Sequence, residues 1–519
     1  MKTPAMTYPF LRNILFTLFF LVSGICPSGI LFAQDTTKII LEQGDTWEYN
    51  KAIGPDIQRI IGNVILRHDT GYLYCDSAYL NEMTNIVKAY GNVHIKASDT
   101  LNLFGDSLQY NGNTKIAEVW GNVKLIDNQT ILTTDSLDFD RKTQIAWYDH
   151  WGKIVNDDNC LVSLYGYYYT NVKEFFFKDD VILINPDYYM RSDTLMYNTV
   201  TEIAYFYGPS TIVSNDKVDS IYCTDGWYDT QKDITRLRYG GEIYHGAQLL
   251  TGDTIYYERL NGFGQVFNHA FLLDTVQEIA LTGNYGELVR KRGVGFMTDR
   301  ATAILIDKKD SLFLHGDTIK AYFDPNDEQV KVKAVFAYHH VKFFRDDLQG
   351  ACDSLAYHSS DSTIYMYVEP VIWSGKNQLT ADTITLTIRN SELDSMVMYR
   401  SAFIVSQDDT TKFNQIKGKD MIAYFIENDL YKIKVLGNSE TVYFAREEDR
   451  TLIGINKLYA SDMLIFVEKN DIQTITYIDK PEGTLYPEDE ISPYDLKLKG
   501  FNWLEKLRPK TKEEIFSLE

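Results

Sequence analysis

Apolar and polar residues alternate with a period of two along most of this chain, and two recurring phrases punctuate the alternation. The first is Gly-Asn-Val-x-Φ, with Φ a large apolar residue: Gly62-Asn63-Val64, Gly91-Asn92-Val93 and Gly121-Asn122-Val123. The second is Asp-Ser/Thr-Φ-x-Tyr/Phe. It runs from Asp106 to Tyr110 through Leu108, from Asp135 to Phe139 through Leu137, from Asp193 to Tyr197 through Leu195, and from Asp253 to Tyr257 through Ile255. Weaker copies follow at Asp317, Asp353, Asp382, Asp420 and Asp462. Each phrase returns about every 30 residues, and a fixed period of that size is the mark of a repeat architecture.

Within the first phrase Ala89, Gly91, Val93 and Ile95 share one parity, as do Ala117, Val119, Gly121, Val123 and Leu125. Within the second, Phe104, Asp106, Leu108 and Tyr110 share a parity, repeated by Thr133, Asp135, Leu137 and Phe139. Alternation over five to eight residues predicts strands with one apolar and one polar face. Short polar pieces such as Asn111-Gly112-Asn113, Asp127-Asn128 and Asp324-Pro325-Asn326 predict tight turns, which join antiparallel neighbours. The expected fold is all-β: an elongated antiparallel sheet of about thirteen tandem two-strand repeats.

The repeated aspartate is the first candidate for chemistry. About ten copies at one repeat position argue against a single active site, and an aspartate just after glycine is suited to bonding turn amides. No His-Glu-x-x-His, Cys-x-x-Cys, Gly-x-Ser-x-Gly or phosphate-loop pattern occurs. No catalytic residue, metal ligand or cofactor is therefore assigned, and the chain is not expected to be an enzyme.

Composition narrows the partners. A formal net charge of -21 opposes nucleic acid, whose phosphates need a basic face. Hydrophobic residues at 45%, with 37 Tyr and 27 Phe, supply ample material to bury. Lys2 and Arg12 precede an apolar run from Ile14 to Val22, and Leu31-Phe32-Ala33 offers a cleavage site, so residues 1–33 are expected to be a signal peptide. The run is too short to span a bilayer comfortably. Residues 34–260 and 261–478 are expected as two repeat regions, and 479–519 as an irregular, partly helical charged tail.

Four cysteines follow the leader. Cys75 and Cys352 occupy the same repeat position several units apart, roughly 50 Å at strand spacing, so buried free thiols are expected rather than disulfides. The tail carries six Lys or Arg between Lys497 and Lys512 against one Glu. It is expected either to cap the last strand edge or to act as a docking peptide, with a short amphipathic helix ending before Pro509.

A continuous apolar face of this extent cannot stay in water. It either folds into a trough or is filled by ordinary core packing, and the sequence leaves both open. Thirteen units would extend on the order of 120 Å. A trough of that length suits acyl chains, and its two ends would expose strand edges open to strand addition.

The Gly-Asn-Val-x-Φ and Asp-Ser-Leu-x-Tyr alternation resembles the organic-solvent-tolerance (OstA-like) and LptA-like periplasmic proteins of lipopolysaccharide transport. The resemblance is clearest over residues 55–260 and extends to about 470. It implies a β-jellyroll or β-taco fold and a periplasmic, outer-membrane-associated carrier of lipopolysaccharide or another acylated lipid. It also implies partners among other Lpt-type β-jellyroll proteins, joined by edge-strand pairing, with an outer-membrane translocon as a further candidate. The chain is much longer than a simple LptA-like subunit and looks like several fused. The resemblance implies lipid contact at Val93, Ile95, Leu108, Tyr110, Val123, Leu125, Leu137, Phe139, Leu195, Tyr197, Ile255 and Tyr257. Two other readings compete: an exported structural or adhesive repeat protein with a filled core, and a carbohydrate-active β-helix with parallel rungs.

Overall fold

The computed structural model describes residues 37–517 apart from positions 50, 309, 327–330, 391, 448, 450, 469 and 470. The signal-peptide expectation on Lys2, Arg12, Ile14 to Val22 and Leu31 to Ala33 lies outside the described residues. Forty strand segments form one sheet. Neighbours pair antiparallel from Ile40–Gln43 at one end to Asp471–Ile478 and Glu482–Tyr486 at the other. Parallel rungs are absent among the described residues, which removes the β-helix reading.

The sheet is a run of long hairpins: Ile57–His68, Gly71–Asn81, Ile86–Lys96, Leu101–Asn111, Ile116–Asp127 and Thr130–Asp140, and onward in the same manner. Every long strand is bent near its middle. Between Ile86–Lys96 and Leu101–Asn111, Tyr90 faces Ser107 but Val93 faces Gly105, so the register slips at Gly91-Asn92. Both residues are left-handed, Gly91 at φ 75° and Asn92 at φ 45°. Glycine and asparagine enter that region at least cost, which explains the choice of the pair. The bends stack from strand to strand into a crease that folds the sheet into two arms, apolar faces inward. The first arm holds turns such as 68–71 and 96–101; the second holds 81–86 and 111–116.

This places the recurring phrases differently from the sequence expectation. Gly-Asn and Asp do not sit in the turns between strands; they build the crease. The aspartate bonds there as a clip to the next strand. Asn92 Nδ2 donates to Asp76 at 2.9 Å, and Asn122 Nδ2 donates to Asp106 at 2.8 Å. In later copies the Gly437 and Arg400 amides donate to Asp462 and Asp420 at 2.8 Å.

The crease also corrects the parity of the second phrase. Asp106 alone opposes the extra-residue bulges at Gly91-Asn92 and Gly121-Asn122, so the inward positions of its own strand step by three across the crease, from Gly105 to Leu108. Leu101 and Leu103 therefore face inward with Leu108 and Tyr110, while Phe104 points outward and stacks on His94 at 4.3 Å. Thr133 is likewise exposed, and Leu132 is buried in its place.

The tail departs from expectation too. Among its described residues it forms the strand Glu482–Tyr486 and single 3-10 turns at Glu505–Leu507 and Glu514–Phe516, and no α-helix. Its strand Glu482–Tyr486 covers the edge of Leu452–Ala460, and the chain then runs back across the outer face of the first arm. Gln415 Nε2 donates to the Leu496 carbonyl at 2.8 Å, and its Oε1 accepts the Leu498 amide at 2.9 Å. Gln378 repeats the arrangement with the Asn502 carbonyl and the Leu504 amide, both at 2.7 Å. Arg508 then reaches Gln349, and Lys342 donates to the Ser517 carbonyl at 2.7 Å. A side-chain amide offers one donor face and one acceptor, so each glutamine imitates one rung of a neighbouring strand. Beneath this strap Phe403, Val405, Val442, Phe444 and Ile455 form a second apolar cluster with Ile491 and Leu498.

Candidate functional site: the interior of the folded sheet and its seam

The inward side chains of both arms make one apolar cluster that runs from Ile39 to Ile465. Eleven of the twelve candidate lining residues belong to it and are at most 5% exposed: Val93, Ile95, Leu108, Tyr110, Val123, Leu125, Leu137, Phe139, Leu195, Tyr197 and Ile255. Tyr257 is half-buried.

The register sorts them into rows. Leu108 and Leu137 flank Val119 in the second-arm row beside the crease, and Leu195 and Ile255 extend that row. Tyr110, Phe139, Tyr197 and Tyr257 lie in the second-arm row nearer the open edge. Ile95 and Leu125 face Leu103 from either side in the first arm. Leu73, Leu101, Leu103 and Leu132 share this interior, and the parity flip hid three of them: Leu101, Leu103 and Leu132.

The space between the arms is filled by these side chains. At the N-terminal end, between Leu66, Leu73, Val87, Ile95, Leu108 and Tyr110, the interior cavity is about 20 Å³, room for a water but not for an acyl chain. A larger hollow of about 820 Å³ lies on the outside of the second arm, around Tyr79, Lys88, Tyr90 and Gln109. It is open to solvent and shares no wall with the apolar row.

Opposite the crease, the turn edges of the two arms meet along a seam. Over the first third of the sheet, polar clasps lace it. His68 Nδ1 and the Tyr110 hydroxyl are 2.7 Å apart, and Arg141 donates to that hydroxyl and to the His68 carbonyl at 3.1 and 3.3 Å. Lys115 donates to Asp69 at 2.7 Å. The Tyr168 hydroxyl donates to Asp127 at 2.7 Å, and Lys173 pairs with the same carboxylate, whose side chain is fully buried.

These contacts set the electrostatics. Hydrogen bonds from Lys115 and then Thr37 hold Asp69 down at about 2. Burial raises the Tyr110 and Tyr168 phenols, with Asp127 adding to the second effect. Burial also pushes the Cys75, Cys223 and Cys352 thiols up to about 12. All four described cysteines are unpaired. No group of three or more His, Cys, Asp or Glu among the described residues is placed to hold a metal ion.

Sequence reasoning missed these clasps because their partners are 31 to 73 positions away. The available signal was a lysine closing the turn before a strand, at Thr114-Lys115 and Val172-Lys173.

Residues 36–193 match the family model described as OstA-like protein. That segment contains the candidate residues from Val93 to Phe139; Leu195, Tyr197, Ile255 and Tyr257 lie beyond it. Among solved structures, the chain is similar to LptH of Pseudomonas aeruginosa, titled the LptA homologous periplasmic component of the conserved lipopolysaccharide transport device. Identity is 13%, over 27% of this chain and 99% of that one, with a TM-score of 0.21. No curated protein matches the chain.

Proposed function

We propose that this chain, OstA-like over residues 36–193, is a periplasmic bridge that carries lipopolysaccharide by sheltering its acyl chains between the two arms. The observation that carries the reading is the apolar interior, one cluster running from Ile39 to Ile465, with buried hydroxyls such as Thr134, Ser192, Ser210 and Thr235 scattered in its rows. An acyl chain gains about 0.8 kcal/mol for each methylene removed from water, so a long apolar slot is an efficient place to hold one. Lodging requires the arms to part, because inward side chains occupy the slot. A folded single sheet can do this by flexing at its crease while its ladder hydrogen bonds stay intact. The phosphates of such a lipid would stay outside, away from a chain of net charge -21.

At the two ends, Thr46–Tyr49 with the exposed Trp47 and Glu482–Tyr486 carry edges suited to strand addition by other β-jellyroll proteins. A closed repeat protein with a permanently filled core is the second reading, favoured by the burial of the lining residues.

One experiment separates the two. Photo-crosslinking amino acids at Leu108 and Leu137 should label lipopolysaccharide in the intact protein, and a control at exposed Trp120 should not. Labelling at Trp120 with none at Leu108 and Leu137 would remove the carrier reading and leave the filled core.

A further inference from the structure

The interior is not chemically uniform along its length. In the N-terminal half the second-arm row beside the crease holds Leu, Val, Phe and Ile at positions such as Leu108, Val119, Phe206 and Ile255, interspersed with Ala78, Ala89 and Gly226. Followed through the register, the same row then becomes methionine-rich. Met297 faces Ile319, Leu355 faces Met366, Ile384 faces Met398, Met398 faces Met421, and Val435 faces Met463. All five methionines are 6% exposed or less and belong to the one interior cluster. Ile319, Ala337 and Leu355 link the first two, so the stripe is continuous along one wall.

The opposite wall differs in the same stretch. There the first arm is backed on its outer face by the C-terminal strap, gripped at Gln415, Gln378, Gln349 and Lys342. One wall is thus a doubled layer with buried polar grips. The other is a single layer in which unbranched thioether side chains, which re-pack among rotamers more freely than β-branched residues, are interleaved with Ile319, Leu355, Ile384 and Val435.

We propose that the methionine stripe from Met297 to Met463 is the acyl-chain seat: the section where the interior yields to a lipid's hydrocarbon against the strapped wall. The inference rests on the carrier reading and adds where along the chain the lipid is held. The N-terminal third, with its clasped seam, serves as the stiffer section, which lipid passes through without being held.

The test uses full-length protein with methyl-13C methionine, titrated with purified lipid A. The methyl signals of Met366, Met398, Met421 and Met463 should shift or broaden, while that of Met83, 75% exposed on a turn, should stay. Substituting both Met398→Ile and Met421→Ile should weaken lipid A binding about 5- to 10-fold, and the double change to Leu should weaken it less, since Leu keeps an unbranched Cβ. Thermal unfolding of both variants verifies folding.

Lipid A crosslinking at Leu108 and Leu137 with the stripe signals unmoved would overturn the inference and leave the carrier reading standing. No interior signal moving, with no crosslink at either position, would remove the carrier reading itself and this inference with it.

Discussion

At Gly91 and Gly121 an added Cβ would meet the carboxylate oxygens of Asp76 and Asp106 at 2.4 and 2.6 Å, on backbone already at φ 75° and 76°. Steric and conformational costs therefore add at one residue. Gly121→Ala should destabilise the surrounding strands by about 2 kcal/mol. Gly246→Ala, at φ 55° with nothing within 4 Å, should cost about 1 kcal/mol or less. Urea unfolding of the two variants measures the difference. A second residue-scale prediction concerns Asp127, buried with Lys173 as its cation. Lys173→Met strands that charge and should cost about 3 kcal/mol; adding Asp127→Asn should recover part of it, as a double-mutant cycle would record.

At the scale of elements, the clasp and the strap hold the arms by different means. Asp69 is held down at about 2 against an ordinary 3.8, chiefly by Lys115. A carboxylate depressed in the folded state stabilises it fully above the ordinary value and loses that contribution as pH falls through the folded one. The N-terminal clasp should thus weaken between about pH 4 and pH 2. Asp69→Asn should remove this acid-dependent step from hydrogen exchange near residues 69 and 115. The strap depends on bidentate amides. Gln378→Ala would leave the Asn502 carbonyl and Leu504 amide without their partner, costing on the order of 2 kcal/mol locally. Faster amide exchange at Leu504, with Leu498 still protected by Gln415, is the expected result.

At the scale of the molecule, each strand meets chiefly its sheet neighbours, so stability should be close to a sum of local terms. Exchange in Gly121→Ala should rise across the hairpins around residue 121 and remain unchanged near Met421. The buried thiols offer a readout of the whole. With Cys75, Cys223 and Cys352 inside and their thiols raised to about 12, disulfide reagents should reach them only as the arms part or the sheet unfolds. Reaction of all three at the native state's rate for an open thiol would contradict the closed interior.

Much of this protein is written in local alternation. Period two, the repeat of about 30 residues and the short polar turns determine an all-β antiparallel array, and eleven of the twelve candidate positions are buried, as the alternation predicts. Parity also misled at Phe104 and Thr133, because a left-handed pair on one strand shifts the register of its neighbour, and one strand's sequence does not record that. The pairing of Asp69 with Lys115 and of Gln378 with the strap joins residues 46 and more than 120 positions apart. Such contacts exist only once the sheet has folded along its crease and the tail has turned back over it. Gly-Asn and Asp are legible as a recurring phrase. That they bend strands rather than connect them, and so turn a flat sheet into two facing arms, is a property of the stacked bends, decided by the tertiary structure.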